Sequence, residues 1–298
     1  MFLKLHSCYD LIPLSAKLII FDVTLNVAKA FYALVYNNVR VAILWDSDKQ
    51  QYAGMLTITD FIRILTHYYK SSDVPMTELE EHQIKTWREQ LVEYTKPLVW
   101  IRPERSLYDA VRILLEKKVH RLPVFDAESG NALHILTHKR ILKYLHLHMS
   151  QLPKPDFMNK TLEELSSLGT RGDITCVKEQ TSLIKTMQLF IDKRVSAIPV
   201  VNEQNCLVDI YAKFDVINLA ATRTYQNLDI TVYQALNYRR QHFSGVATCN
   251  LSHTFQQIMD QIVNAGVHRL VLVDHQQHVL GIVSLSDILN FLIDSSCS

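Results

Sequence analysis

Hydrophobic positions recur along this 298-residue chain in a fourfold pattern. A short apolar segment opens on valine each time: Val39 to Leu44, Val119 to Val124, Val195 to Val200 and Val267 to Leu272, recurring about every 76 residues. Twelve residues before each leading valine begins a stripe at i, i+3, i+4 and i+7, the spacing that puts four side chains on one helix face. The stripes are Val27, Ala30, Phe31, Leu34; Leu107, Ala110, Val111, Leu114; Leu183, Thr186, Met187, Phe190; and Phe255, Ile258, Met259, Ile262. Each apolar segment leads to a polar turn (Asp46 to Gln51, Asp126 to Asn131, Asn202 to Asn205, Asp274 to His278) and a second apolar strand. A second helix then starts near Asp60, Arg140, Asp215 or Asp287, and in the first copy Phe61, Ile64, Leu65 and Tyr68 share one of its faces. The pattern predicts an α/β protein made of α+β repeats, each running helix, strand, strand, helix. A unit of about 60 residues has too small a sheet to cover its own apolar face, so the repeats must pair.

The repeats are expected at 10–70, 92–150, 168–222 and 240–298, with linkers at 71–91 and 151–167. The first linker is charged and compatible with a helix, and its stretch Glu78 to Glu81 reads as a solvated face. The second holds Pro153 and Pro155, which oppose a continuous helix and mark the expected boundary between halves.

Charge excludes some partners. The 31 basic residues balance 30 acidic ones, so no general field draws the chain to nucleic acid or an anionic membrane, and any anion site must be a local cluster. The seven glycines form none of the loops that bring backbone amides against phosphate in Walker A or dinucleotide-binding turns. Five cysteines (Cys8, Cys176, Cys206, Cys249, Cys297) are odd in number and widely spaced, which reads as reduced, mostly buried thiols. No signal-like N-terminal segment or long apolar run occurs, so a soluble, cytoplasmic protein is expected, with the nucleus also open to it.

Two readings stand for the second-helix position. A carboxylate there can cap the helix, or its two acceptor oxygens can take the vicinal hydroxyls of a ribose; Asp60, Asp215 and Asp287 suit both, whereas Arg140 cannot accept from a hydroxyl. Cations follow the leading valines at Arg40, His120, Arg121, His268 and Arg269, with Ser196 in the third repeat and Lys139 beside Arg140. Singly these read as solvated charges. Packed with pseudo-symmetry they converge, and a convergent cationic cluster is costly unless an anion such as phosphate fills it. Hydroxyls accompany them at Thr57, Thr59, Thr170, Ser284 and Ser286, which ordinary turn and cap chemistry also explains.

An enzyme is disfavoured. Val-His-Arg-Leu has Leu122 or Leu270 where a kinase catalytic loop has its aspartate, and no Asp-Phe-Gly, nucleophile elbow or spaced metal cluster occurs. His134, His138, His146 and His148 read as surface or partly packed histidines and not as a metal site. A scaffold without ligands would explain four repeats but leaves the recurring cations and aspartates without a joint purpose.

The helix-strand-strand-helix unit with Val-His-Arg-Leu-Pro-Val and Gly-Met-Leu-Thr-Ile-Thr-Asp-Phe resembles the cystathionine-β-synthase-type (CBS) domain, which works in tandem pairs. Val119 to Val124, Ile135 to Lys143, Lys213 to Ala221 and Gly281 to Leu289 are similar to the γ regulatory subunits of AMP-activated protein kinase, over Tyr9 to Leu292. That resemblance implies four domains in two tandem pairs forming a flat disc with pseudo-fourfold symmetry. It implies ribose sites at Asp60, Asp215 and Asp287 and none at Arg140, with Arg40, His120, Arg121, Lys139, His268 and Arg269 facing the phosphates of AMP, ADP or ATP. It adds Thr57, Thr170, Ser196, Ser284 and Ser286 around the nucleotides, no metal, and a heterotrimer with a catalytic α subunit and a β subunit. The apolar run Thr24 to Val41 is the candidate for the edge that meets the β subunit. Ala212 departs from the family, which usually has serine there, so weaker binding at Asp215 is expected; Ile43 replaces a common proline without evident consequence.

Overall fold

The computed structural model describes residues 2–70, 82–90, 92, 97–217, 228–239 and 245–295. The stretch Glu78 to Glu81 and Cys297 lie outside them. In chain order the elements are α1 (Phe2–Leu5), β1 (Ile20–Asp22), α2 (Val27–Tyr36), β2 (Val41–Asp46), β3 (Gln51–Thr57), α3 (Ile58–Lys70), α4 (Ile84–Gln90), α5 (Leu107–Glu116), β4 (Arg121–Phe125), β5 (Ala132–Thr137) and α6 (His138–His148). The second half continues with β6 (Thr170–Arg171), β7 (Val177–Lys178), α7 (Leu183–Asp192), β8 (Ala197–Val201), β9 (Leu207–Ala212), α8 (Val232–Asn237), β10 (Thr248–Cys249), α9 (Phe255–Asn264), β11 (Arg269–Val273), β12 (Val279–Ser284) and α10 (Leu285–Asp294). The third repeat's second helix opens as a 3₁₀ turn at Lys213–Asp215.

All four stripes are buried, from Val27 at 0% exposed to Phe31, Leu114 and Ile262 at 1%. Ser106, Ser182 and Thr254 cap α5, α7 and α9 by accepting the backbone N–H three residues on. Each of these first helices ends on a left-handed residue, Asn38, Lys118, Arg194 or Gly266. The turn sends the N–H of the leading valine back to the helix, Val39 to Leu34 and Val119 to Leu114, both at 3.0 Å, and the valine packs on the core. The polar turns share one device. The side chain of Asp46, Asp126, Asn202 or Asp274 accepts backbone N–H groups two to four residues ahead.

One recurring element went unpredicted. A short strand precedes each first helix and runs parallel to the leading strand: β1 on β2, β7 on β8, β10 on β11, and a single bridge from Ile101 to Val124 in repeat 2. Two or three residues are too few to show an alternation. β6 also adds antiparallel to β12, and Gly281 is required there, because a Cβ would stand 2.6 Å from the carbonyl oxygen of Thr170.

Pairing is not between chain neighbours in the core. One hydrophobic core joins repeats 1 and 3, where Phe31, Ile62, Leu65 and Trp87 pack with Met187, Phe190 and Tyr211. The other joins repeats 2 and 4, where α6 lies against α9 and α10. Consecutive repeats meet at their hairpins, through the Tyr52 and Phe125 rings (4.5 Å) on one side and a Leu207-to-Gln277 backbone bond (2.8 Å) on the other.

The segments before the repeats are exchanged. Residues ahead of repeat 2 bridge to repeat 1 (Gln83 to Asn26), while the N-terminal segment bridges to repeat 2 (Ser7 to Ser106). Likewise Thr231, ahead of repeat 4, bridges to Ser182 of repeat 3, and Thr161 bridges to Thr254 of repeat 4. The 151–167 linker is therefore no simple divide, since Met158, Leu162 and Leu165 enter the core of repeats 2 and 4. The run Thr24 to Val41 is helical over much of its length. Val27–Tyr36 within it folds as α2, whose apolar stripe is spent on the chain's own core.

Candidate functional site

Each carboxylate at a second-helix start closes a cap. Asp60 Oδ2 accepts from the backbone N–H (2.8 Å) and hydroxyl (2.7 Å) of Thr57, and Asp287 Oδ2 does the same with Ser284 at 2.8 and 2.7 Å. The cap uses one oxygen and leaves Oδ1, which lies 3.7 Å from Arg63 Nη1 in the case of Asp60. A carboxylate has about four acceptor positions, so a cap and a diol are compatible on the same group. Asp215 is different. Ala212 has no hydroxyl, so only its N–H donates (2.8 Å), and Arg239 spans both carboxylate oxygens at 3.0 and 3.3 Å. Burial raises the Asp215 carboxyl above the usual carboxylate range, with Arg239 opposing.

Arg140 stands where the aspartates do and turns elsewhere. Its Nη1 donates to the Leu11 carbonyl (3.3 Å) and to His134 Nε2 (3.0 Å), joining the N-terminal segment to repeat 2. His134 and His138 are buried, which corrects the surface expectation for these two, and burial pushes each down to about 4. Neutral imidazole can therefore accept from Arg140. His146 meets Asp260 at 2.7 Å and His148 the Tyr144 carbonyl at 2.9 Å.

Cations from three repeats converge. Arg40 of repeat 1 donates to His268 Nε2 of repeat 4 at 2.8 Å and lies over the Phe214 ring of repeat 3 at 4.1 Å. Arg269 donates to Ser196 Oγ at 2.9 Å, and Lys139 of repeat 2 to the Gly266 carbonyl at 2.5 Å. Burial, with Arg40 nearby, brings Arg121 and Arg269 down to about 10, and burial with Arg40, Arg269, Lys139 and Arg121 brings His268 down to about 3. Burial is the first cause of these shifts and neighbouring like charge the second, a setting in which an anion would be stabilised. His120 of the same register faces His138, ring centroids 5.7 Å apart.

Three of the hydroxyls fall around the fourth repeat. β6 sets Thr170 opposite Ile282, two residues before the Ser284 cap, and Ser286 is the second residue of α10. Thr59 accepts from Lys213 Nζ at 3.4 Å. Lys213 was missed from sequence. It sits with Arg63, Asp60 and Arg269, and burial with Arg63 brings it down to about 8. Arg239 and Arg88 were also missed, because they come from outside the repeating unit, near the ends of the exchanged helices. Among the described residues no group of three or more His, Cys, Asp or Glu could hold a metal ion, and no helix is long and apolar enough to cross a membrane. Cys8 and Cys249 are buried, and burial pushes both thiols up to about 12. Cys176 and Cys206 are half-buried.

The profile of the CBS domain matches residues 91–147, 165–221 and 243–294. The chain belongs to the CBS-domain family. The first repeat shares the element order without being matched. The chain is 50% identical over 293 residues to the "5'-AMP-activated protein kinase subunit gamma-3" of Homo sapiens, covering 98% of itself and 60% of that protein. The Sus scrofa protein of the same name is also 50% identical, with 98% of this chain and 57% of the relative covered. The chain thus spans about 60% of the length of the curated relatives it matches. The structure of protein MJ1225 from Methanocaldococcus jannaschii superposes with a TM-score of 0.75 at 14% identity, covering 96% of this chain and all of that one, which shows a shared fold.

Proposed function

We propose that this CBS-domain chain is a non-catalytic γ regulatory subunit of an AMP-activated protein kinase, in which AMP, ADP and ATP compete for sites built on Asp60 and Asp215, with a third nucleotide at Asp287. The observation that carries the reading is the convergence of Arg40, Arg121, Lys139, His268 and Arg269 from three repeats on one centre, with Asp215 near Arg40 and Arg269. Phosphate at that centre would relieve the like-charge crowding, and the ribose hydroxyls would donate to the capping aspartates. His120, Ser196, Thr57, Thr170, Ser284 and Ser286 complete the contacts. Arg140, held by Leu11 and His134, offers no acceptor, so the second repeat has no ribose site.

An effector shifts a kinase only through differential affinity for two states, a coupling of typically about 1–3 kcal/mol. In the proposed heterotrimer, AMP or ADP favours engagement of the catalytic α subunit, ATP favours its release, and a β subunit joins the three. The chain acts in the cytoplasm and needs no metal to bind. Asp215, lacking a cap hydroxyl at Ala212 and paired with Arg239, binds more weakly than Asp60.

Calorimetric titration of AMP and ATP into the chain, with Asp60→Ala, Asp215→Ala and Asp287→Ala alongside, tests the reading. Competitive binding by the wild type, with one class of site lost in each variant, is expected. A folded, unloaded chain that binds no nucleotide would leave the ligand-free scaffold as the better account.

A further inference from the structure

The residue three places before each second-helix cap is Gly54, His134, Asp209 or Gly281, and it decides what lies beside the neighbouring aspartate or arginine. In repeat 1, Arg88 from α4 donates through Nη2 to the Ala53 carbonyl at 2.6 Å, and a Cβ on Gly54 would stand 3.0 Å from that nitrogen. In repeat 3, Arg239, just beyond α8, likewise donates through Nη2 to a strand carbonyl, that of Ile210, at 2.5 Å. Here the place of Gly54 is taken by a second carboxylate. Asp209 Oδ1 accepts from Arg239 Nη1 at 2.8 Å, while the other edge of the guanidinium spans Asp215. All three side chains are largely covered: Arg239 is 13% exposed, Asp215 12% and Asp209 24%.

A ribose diol and a guanidinium are both donors, so they compete for the oxygens of Asp215. An arginine that loses its only carboxylate inside a covered site pays a large desolvation cost. Arg239 avoids that cost, because Asp209 holds Nη1 on the other edge and the Ile210 carbonyl also accepts from Nη2. We propose that Asp209 is a positioning residue of the Asp215 site: it retains Arg239 when a nucleoside takes Asp215, and so sets how readily that carboxylate is surrendered. The proposal rests on the nucleotide reading above and deepens it at one site. Gly54 and Gly281 provide no such second carboxylate, and His134 is occupied with Arg140.

The test uses the full chain carrying Asp60→Ala and Asp287→Ala, so that only the Asp215 site remains, with adenosine as probe in equilibrium dialysis. The wild-type chain gives a second route, in which the site is the adenosine binding that disappears in Asp215→Ala. Asp209→Asn keeps the shape but removes the charge, leaving Asp215 as the one carboxylate that Arg239 is seen to meet among the described residues. Adenosine then binds about tenfold more weakly. Adding Arg239→Gln to Asp209→Asn removes the competitor and restores adenosine affinity, a recovery that a merely structural role for Asp209 does not produce. Unchanged affinity in Asp209→Asn, or no recovery in the double variant, overturns the proposal while leaving the nucleotide reading intact. If Asp215→Ala binds adenosine as well as its parent does, the nucleotide reading fails at this site, and the role of Asp209 falls with it.

Discussion

Repeats 2 and 4 share one core and one backbone plan, yet their second helices begin with opposite chemistry. Thr137 and Ser284 occupy the same cap position, and each accepts the N–H three residues on at 3.3 Å. In repeat 4 that third residue, Asp287, accepts two hydrogen bonds from Ser284 through Oδ2 and keeps Oδ1 available. In repeat 2 it is Arg140, which leaves the cap and clasps Leu11 and His134. The hydroxyl alone suffices to start the helix. The residue at the third position is therefore released from folding duty, and it decides whether the corner can receive a diol or instead ties down the N-terminal segment.

The largest effects should separate the two corners. Asp287→Ala removes acceptors for two hydroxyls, so nucleotide affinity at that site falls about 100-fold. Arg140→Ala leaves nucleotide affinity unchanged, and faster amide exchange in Phe2 to Leu11 reports the loosened segment. Calorimetry and hydrogen exchange on the same two proteins check both. Equal losses of affinity would mean that repeat 2 is a site after all.

Acid should distinguish the repeats next. Burial holds His134 and His138 at about 4, below the ordinary histidine value of 6.5, so the folded state carries fewer protons than the unfolded one between these limits. Their stabilising contribution is therefore full above about pH 6.5, shrinks as pH falls through the window, and is gone near pH 4. Leu285 and Gly281 hold these places in repeat 4 and do not titrate. His138→Leu, which installs the repeat-4 residue, is expected to flatten urea-measured stability across this window by on the order of 3 kcal/mol. An unchanged slope would place the acid sensitivity elsewhere.

How much of this was legible in the chain depends on range. The stripes, the polar turns and the aspartate register could be read, because each is a local pattern with a local cause. Periodicity shows that Met187 and Phe190 are covered but not that they share one core with Phe31 of repeat 1 and Trp87 of the first linker. The exchange of leading segments was equally invisible, and with it Arg239 and Arg88, whose partners depend on which repeat their helix joins. The cationic centre could be anticipated only because four copies share one register. Lys213, one turn-residue off that register, was lost for the same reason.

A cap comparison gives smaller numbers. Thr137→Ala and Ser284→Ala each remove a cap acceptor, expected to cost about 1 kcal/mol in urea unfolding. Ser284→Ala also strips the hydroxyl donor from Asp287, reproducing what Ala212 does at Asp215, so only this variant should weaken nucleotide binding as well. If Thr137→Ala weakens it equally, the effect passes through the shared core and not through the carboxylate.

The smallest effect concerns the ends of the first helices. Lys118 and Gly266 occupy the same left-handed turn, at φ of 50° and 65°. A side chain in that region costs about 1–2 kcal/mol, part of which glycine forfeits again through its greater freedom in the unfolded chain. Lys118→Gly is thus expected to stabilise the protein by roughly 0.5–1 kcal/mol, measured as a raised urea midpoint at constant slope. The reverse exchange is not symmetrical. A Cβ at Gly266 would lie 3.4 Å from Lys139 Nζ, the ammonium that donates to the Gly266 carbonyl, so Gly266→Lys brings a second cation against it. That variant should lose stability and, because Lys139 belongs to the phosphate-facing cluster, should also lose affinity for ATP. A Gly266→Lys chain with undiminished ATP affinity would remove Lys139 from that cluster.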